Sequence, residues 1–294
     1  MKLIFIHGRA QEEFEELELK KTWIDTLNEG LKKSNLTLPT DVQIEFPYYG
    51  KLLKKLVDNL NNPSAAEEEV TRGFSQEAPS EFKQIEFFQE FLTEMAHKTD
   101  LTPDERAELL DNSEATRGFL NWEPVQKILA LMDRRQSLGE KALKSFTLDV
   151  FLYLTVRDIR KQIDSHIIKC FDDEPCVVVG HSLGTIVSYL VLRNNPHFNV
   201  KKFITIGSPL GMSSIRKYLD LPLQMPASVK NGWFNAFDER DFVALNPLDA
   251  VHFNIDPTIE NKYDIDNHTD NRHGITGYLN DALVAKKIHE ALVM

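Results

Sequence analysis

Residues 176–192 read Cys-Val-Val-Val-Gly-His-Ser-Leu-Gly-Thr-Ile-Val-Ser-Tyr-Leu-Val-Leu. The unbroken apolar run at 176–179 suits a strand buried on both faces of a sheet, and 186–192 suits a helix. Between them lies Gly180-His181-Ser182-Leu183-Gly184, a G-x-S-x-G sequence in a strand-to-helix setting. The small flanking residues let the chain bend sharply, and the bend pushes the Ser182 hydroxyl into the open near a helix N-terminus. A serine held this way is a candidate nucleophile.

The same alternation recurs on both sides of this turn. Lys2–Ile6 is a short apolar run ending at His7-Gly8 and reads as a buried strand. Phe14, Leu17, Leu19, Trp23, Leu27 and Leu31 keep helical spacing among Glu and Lys, which predicts a helix covering one sheet face. Residues 42–46 alternate as a second strand stopped by Pro47. A long helix is predicted over 147–171 from Leu148, Phe151, Leu152, Val156, Ile159, Ile163 and Ile167. Beyond the serine, 203–206 and 233–237 read as strands, and 278–293 as a helix with Leu279, Leu283, Ile288 and Leu292 on one face. The expected architecture is an α/β fold in three layers, α/β/α, with a mostly parallel sheet.

Residues 61–146 differ in character: strand signals vanish and charged residues abound, as in a helical insertion. Ser80 is placed to cap a helix carrying Phe82, Ile85, Phe88, Phe91, Leu92 and Met95. Thr102-Pro103-Asp104-Glu105 is a second helix start, and 124–134 reads as a third helix. The expected organisation is a core of 1–60 and 147–294 interrupted by 61–146.

At 294 residues the chain suits one large domain or one domain with an insertion. Its 42% hydrophobic and 27% charged residues fit a packed soluble protein and exclude both wholesale disorder and a membrane bundle. Asp and Glu outnumber Lys and Arg by 45 to 34, and the field of a formal charge of -11 repels nucleic acid and anionic bilayers. No apolar stretch has the length of a spanning helix, and the run at the N-terminus is too short for a secretory leader. Two cysteines, Cys170 and Cys176, are too few for a disulfide framework, so a reducing cytoplasm is expected.

An activated hydroxyl needs a base. His7 and His181 belong to turns, His97, His166 and His289 lie in predicted helices, and His197 and His252 lie beside strands away from the expected site edge. That leaves His268 and His273, within or just after the polar stretch 264–272. Asp264, Asp266, His268, Asp270 and His273 also raise the question of a metal site. No H-E-x-x-H, paired C-x-x-C or calcium-loop glycine accompanies them, and no G-x-G-x-x-G or P-loop pattern occurs, so neither metal nor cofactor is expected.

Gly180-His181-Ser182-Leu183-Gly184 resembles the nucleophile elbow of the α/β-hydrolase superfamily, and within it that of serine lipases and esterases. The resemblance covers both flanks of the insertion. In that family the first strand of a minimal core ends in His-Gly, matched here by His7-Gly8-Arg9. The resemblance implies an oxyanion hole formed by the backbone amides of Arg9 and Leu183. It also implies a chain order of nucleophile, acid, base. Asp241-Phe242-Val243-Ala244 resembles the family pattern of Asp, then Pro or an apolar residue, Val, and Ala or Pro. By that match Asp241 is the acid, with Asp238, nearer the strand end, as the alternate. His273, followed by Gly274 and the last helix, stands where the family's base does, with His268 as the alternate. The insertion stands where the family places a cap.

The function these residues imply is hydrolysis of carboxylic esters through an acyl-enzyme by a triad of Ser182, Asp241 and His273. Thioesterase, lysophospholipase and acyltransferase chemistry would use the same residues. The alternative from another class is a catalytically silent binding protein on this fold. The expected partner is a small-molecule ester or acyl substrate, with no nucleic acid and no stable membrane insertion. Phe74, Phe82, Phe87, Phe88, Phe91, Phe119 and Trp122 are available to an acyl pocket, although the helical spacing of Phe88, Phe91 and Met95 favours packing among the insertion's own helices.

Overall fold

A computed structural model describes residues 1–8, 15–61, 79–96, 140–270 and 272–294. Strands β1 (Lys2–Ile6), β2 (Gln43–Glu45), β3 (Cys176–His181), β4 (Val200–Ile206), β5 (Trp233–Ala236) and β6 (Glu260–Lys262) form one sheet in the order β2-β1-β3-β4-β5-β6. Every neighbouring pair is parallel. The described helices are α1 (Glu16–Lys32), α2 (Gly50–Asn61), α3 (Glu81–Ala96), α4 (Glu140–Thr155), α5 (Arg157–Ile168), α6 (Leu183–Asn194), α7 (Ser213–Arg216), α8 (Ile275–Leu279) and α9 (Ala282–Leu292). None of them is long and apolar enough to cross a membrane.

Successive strand residues point to opposite faces, and here both faces are covered. Leu3, Phe5, Val177, Val179, Ile204 and Ile206 pack with Trp23 and Leu27 of α1 and with Val284 and Ile288 of α9. Ile4, Ile6, Val178 and Phe203 point the other way, into a cluster with Leu53 of α2, Phe151 of α4, Ile163 of α5 and Leu190 of α6. The result is the expected three-layer α/β/α arrangement with a parallel sheet. Coverage on both sides is why β1 and β3 are apolar without alternation.

The register pairs Ile6 with Gly180 and His181 with Ile206, so β1, β3 and β4 end at nearly the same level. The loops leaving that edge carry Gly8, Ser182 and Gly207. In an open parallel sheet, the carboxyl edge is where ligands gather.

Several elements differ from their sequence reading. The helix expected over 147–171 is two helices, because Val156 leaves helical geometry at φ -94° and ψ 102°. Arg160 makes the break possible: its guanidinium donates to the carbonyls of Tyr153 and Leu154, which lose their helical amides there. The terminal helix is likewise split at Asp281, whose carboxylate accepts from the amides of Leu283 (2.9 Å) and Val284 (3.0 Å) and caps α9. Three residues expected on apolar faces are exposed: Leu17 at 78%, Phe82 at 62% and Leu283 at 39%. Leu17 stands two residues before buried Leu19, about 200° around the helix. Phe82 and Leu283 precede buried Phe87 and Ile288 by five residues, about 140° off the stripe.

Helix α3 lies wholly within 61–146, the stretch expected to be an insertion. Its Phe87 and Phe91 pack against Phe151 and Phe146 of α4, with ring centroids 5.3 and 5.7 Å apart. Glu94 accepts from the amides of Ser213 (2.8 Å) and Ser214 (2.6 Å), and Glu90 pairs with Lys217. Helix α4 crosses the expected boundary at 146/147 without interruption. The helices expected at 102–105 and 124–134, together with Arg9, Phe74, Phe119 and Trp122, lie outside the described residues.

Candidate active site

Ser182 follows β3 directly, and α6 begins at the next residue. Its backbone has φ 56° and ψ -129°, a region that side-chain-bearing residues rarely occupy. The surroundings hold it there. Its amide donates to Ile206 O at 3.3 Å, and its carbonyl accepts from both the amide (2.9 Å) and the hydroxyl (2.7 Å) of Thr185. The Thr185 hydroxyl also lies 2.9 Å from that of Ser208.

Close approach explains two of the glycines. A Cβ on Gly184 would stand 2.1 Å from Ile6 O, so only glycine lets α6 sit this tightly on the end of β1. A Cβ on Gly8 would stand 2.7 Å from the Ser182 Cβ and 3.2 Å from its Oγ. The loop after β1 therefore presses directly on the candidate nucleophile.

His273 and Asp241 come together although 32 positions separate them: Nδ1 of the ring lies 2.7 Å from the Asp241 Oδ2. Both are buried. Asp241 Oδ1 accepts from the amides of Val243 (2.8 Å) and Ala244 (3.3 Å). The Tyr278 hydroxyl donates to Oδ2 at 2.6 Å and accepts from the amide of Asp238 at 3.2 Å. An ionised carboxylate can only accept, so His273 Nδ1 carries a proton, and in the neutral ring Nε2 is the basic nitrogen.

His181 links this group to the serine. Its Nε2 donates to the carbonyl of His273 at 2.9 Å, and the two rings lie 4.8 Å apart. Burial above all holds His181 well below the usual histidine range, so it stays neutral. Gly207, at φ 56°, lies under Tyr278, His273 and His181; a Cβ there would meet all three rings within 3.3 Å.

The alternates are placed differently. Asp238 is buried, and its carboxylate binds the side chain of Arg240 at both oxygens, with the amides of Arg240 (2.8 Å) and Asn267 (2.9 Å) completing its partners. His268 is exposed. Asp264 pairs with Lys262, and Asp266 pairs with Arg240 and Arg272. Among the described residues, no three His, Cys, Asp or Glu side chains converge as metal ligands.

His7 is fully buried and stacked on Tyr49 at 4.2 Å. Its Nε2 accepts from the Tyr49 amide at 3.0 Å and its Nδ1 donates to the carbonyl of Gly8, so the neutral tautomer is fixed. Burial pushes its pKa down to about 4. Beside Gly8 opens a pocket of about 180 Å³ walled by Tyr49, Leu53, Val57 and Leu148, with Lys54 and Asp149 among its polar groups.

Two contributors escaped sequence reading. Tyr278 read as the first residue of a helix, and Tyr49 followed a strand stop with no motif around it. Each acts through a contact across the fold that spacing along the chain does not encode.

Residues 148–282 match the family described as PGAP1-like alpha/beta domain. The matched stretch includes Ser182, Asp241, His273 and Tyr278 but not β1, β2, α1 or α9 as a whole. Together with the all-parallel sheet, the match supports the α/β-hydrolase superfamily. No curated protein matches this chain.

Proposed function

We propose that this protein is a serine hydrolase that cleaves carboxylic esters through an acyl-enzyme. The carrying observation is the pairing of His273 with Asp241 at 2.7 Å, with the His273 carbonyl bonded to His181, the residue before a serine in elbow geometry. The match to a hydrolase-like domain family supports the same reading.

In the first half-reaction, Ser182 Oγ bonds to the ester carbonyl carbon while its proton passes to His273 Nε2. The carbonyl π pair moves to oxygen, where the amide of Leu183 is the donor we assign, with that of Arg9 as the second donor the family resemblance implies. The pair returns, the bond to the alkoxy oxygen breaks, and the imidazolium gives its proton to the departing alcohol. Water then repeats the sequence on the acyl-enzyme, releasing the acid and restoring Ser182. Asp241 keeps the proton on Nδ1 and stabilises the imidazolium.

Thioesters and lysophospholipids change only the leaving group, and an acyl acceptor other than water would make the same site a transferase. We assign 1–60 and 147–294 to the catalytic core and 61–146 to a cap. Both cysteines are free thiols, in keeping with the cytoplasm.

Intact mass after brief exposure to a fluorophosphonate, run beside Ser182→Ala, tests the assignment. One adduct that disappears in the variant is the expected result. No adduct on folded wild-type protein, or an adduct that persists in the variant, overturns it.

A further inference from the structure

The geometry points to Tyr278 as a positioning residue for the proposed reaction, one that holds Asp241 through a hydrogen bond to the same carboxylate oxygen that His273 uses. This rests on the reading of Asp241 and His273 as acid and base.

A tyrosine hydroxyl has one proton to give. Tyr278 accepts from the Asp238 amide at 3.2 Å, so that proton is left for Asp241 Oδ2, 2.6 Å away. Oδ2 therefore receives two donors, the phenol and the imidazole Nδ1, while Oδ1 receives two backbone amides. With these four donors the carboxylate has little freedom to rotate away from His273. Burial first, and the Asp241 charge second, raise the Tyr278 phenol well above its ordinary value, so it stays a donor across the working range.

Shared acceptance has a direction. A charge partly engaged by the phenol attracts the imidazolium less than an unshared one, so Tyr278 moderates the pull of Asp241 on His273. The other ionisable neighbours are His181, whose ring centroid lies 5.9 Å from that of Tyr278, and Asp238, which is neutralised by Arg240. Neither shares Oδ2. The position is fixed from the far side as well, because Tyr278 is fully buried in α8 and packs over Gly207.

Tyr278→Phe removes the donor and keeps the ring. It should lower kcat roughly tenfold with KM within about twofold, and move the acid limb of the kcat profile toward higher pH by about half a unit. Replacing Tyr278 with 3-fluorotyrosine strengthens the donor without disturbing the packing and should move the limb the opposite way. A low-field proton resonance for His273 Nδ1–H, identified by its absence in Asp241→Asn, should shift in Tyr278→Phe whether or not an ester is turned over.

The proposal is overturned if kcat, the limb and the resonance in Tyr278→Phe all superpose on wild type while only the melting point falls. In that case the hydroxyl serves the fold alone. A wild-type protein with no fluorophosphonate adduct would instead defeat the hydrolase reading, and the resonance would still report on Tyr278.

Discussion

Gly8 and Ser182, each two residues beyond the paired Ile6 and Gly180, stand side by side, and a methyl group on Gly8 would stand 2.7 Å from the Ser182 Cβ. Gly8→Ala must therefore push the serine or its own loop aside. A displacement near 1 Å at a reacting atom costs about two orders of magnitude in rate. Fluorophosphonate labelling of Gly8→Ala should slow by about that factor with a near-normal melting point. Labelling at the wild-type rate would show that the contact relaxes harmlessly.

The backbone of Ser182 stores strain that glycine would not feel. Ser182→Gly should be more stable than Ser182→Ala by about 1 kcal/mol, visible as a higher denaturant midpoint at unchanged slope. Equal midpoints would mean that the turn imposes no penalty on a side chain.

Two neighbouring aspartates should separate cleanly. Asp241→Asn leaves the bonding pattern nearly intact but reverses a donor toward His273 Nδ1, and turnover should fall about 10³–10⁴-fold. Asp238→Asn breaks a buried pairing with Arg240, so its chief effect should be a lower melting point. His268→Ala, at an exposed position, should leave both near wild type. The reverse pattern for the aspartates, read from steady-state kinetics and thermal melts, would exchange their roles.

Acid should weaken the fold above the ordinary carboxylate range. His7 titrates at about 4 in the native protein against 6.5 in a free side chain, so in that window the unfolded chain binds a proton that the native chain refuses. Stability therefore rises with pH across the window and is lost as pH falls. His181 is depressed by burial and acts in the same direction. Asp164, raised by burial from 3.8 to about 6, opposes them, because the native protein takes up its proton first on acidification. Denaturant midpoints should fall between about pH 6.5 and pH 4.5, and Asp164→Asn should steepen that fall. A flat profile would show that the imidazoles are not held neutral.

The layers of this fold were legible where burial leaves a simple trace. The apolar runs at Lys2–Ile6 and 176–179 mark strands covered on both faces, and the structure puts them side by side in the interior of the sheet. Strand β6 left no such trace: Glu260, Asn261 and Lys262 form an edge strand with a polar sequence. The break at Val156 was invisible for another reason. Helical spacing continues straight through it, and the side chain that compensates it, Arg160, lies four residues onward. At the site, G-x-S-x-G located the turn, but nothing in the spacing of Asp238 and Asp241 separated them. Their difference lies in which one has Arg240 across it and which one faces His273 and Tyr278.

The pairing of β1 with β3 joins strands about 170 residues apart in the chain, and this sets a problem of timing. A chain made from its N-terminus has β1 and β2 long before β3 exists. Throughout that interval the edge of β1 that will receive residues 176–180 has no partner, and Leu3, Phe5 and Ile6 have only part of their eventual cover. Three paired positions between β1 and β2 cannot hold a sheet alone. The nascent chain thus carries a sticky, unfinished half-sheet until the residues that also carry the serine emerge, so the cover of β1 and the making of the elbow wait on one stretch of chain, with β4, β5 and β6 still to follow.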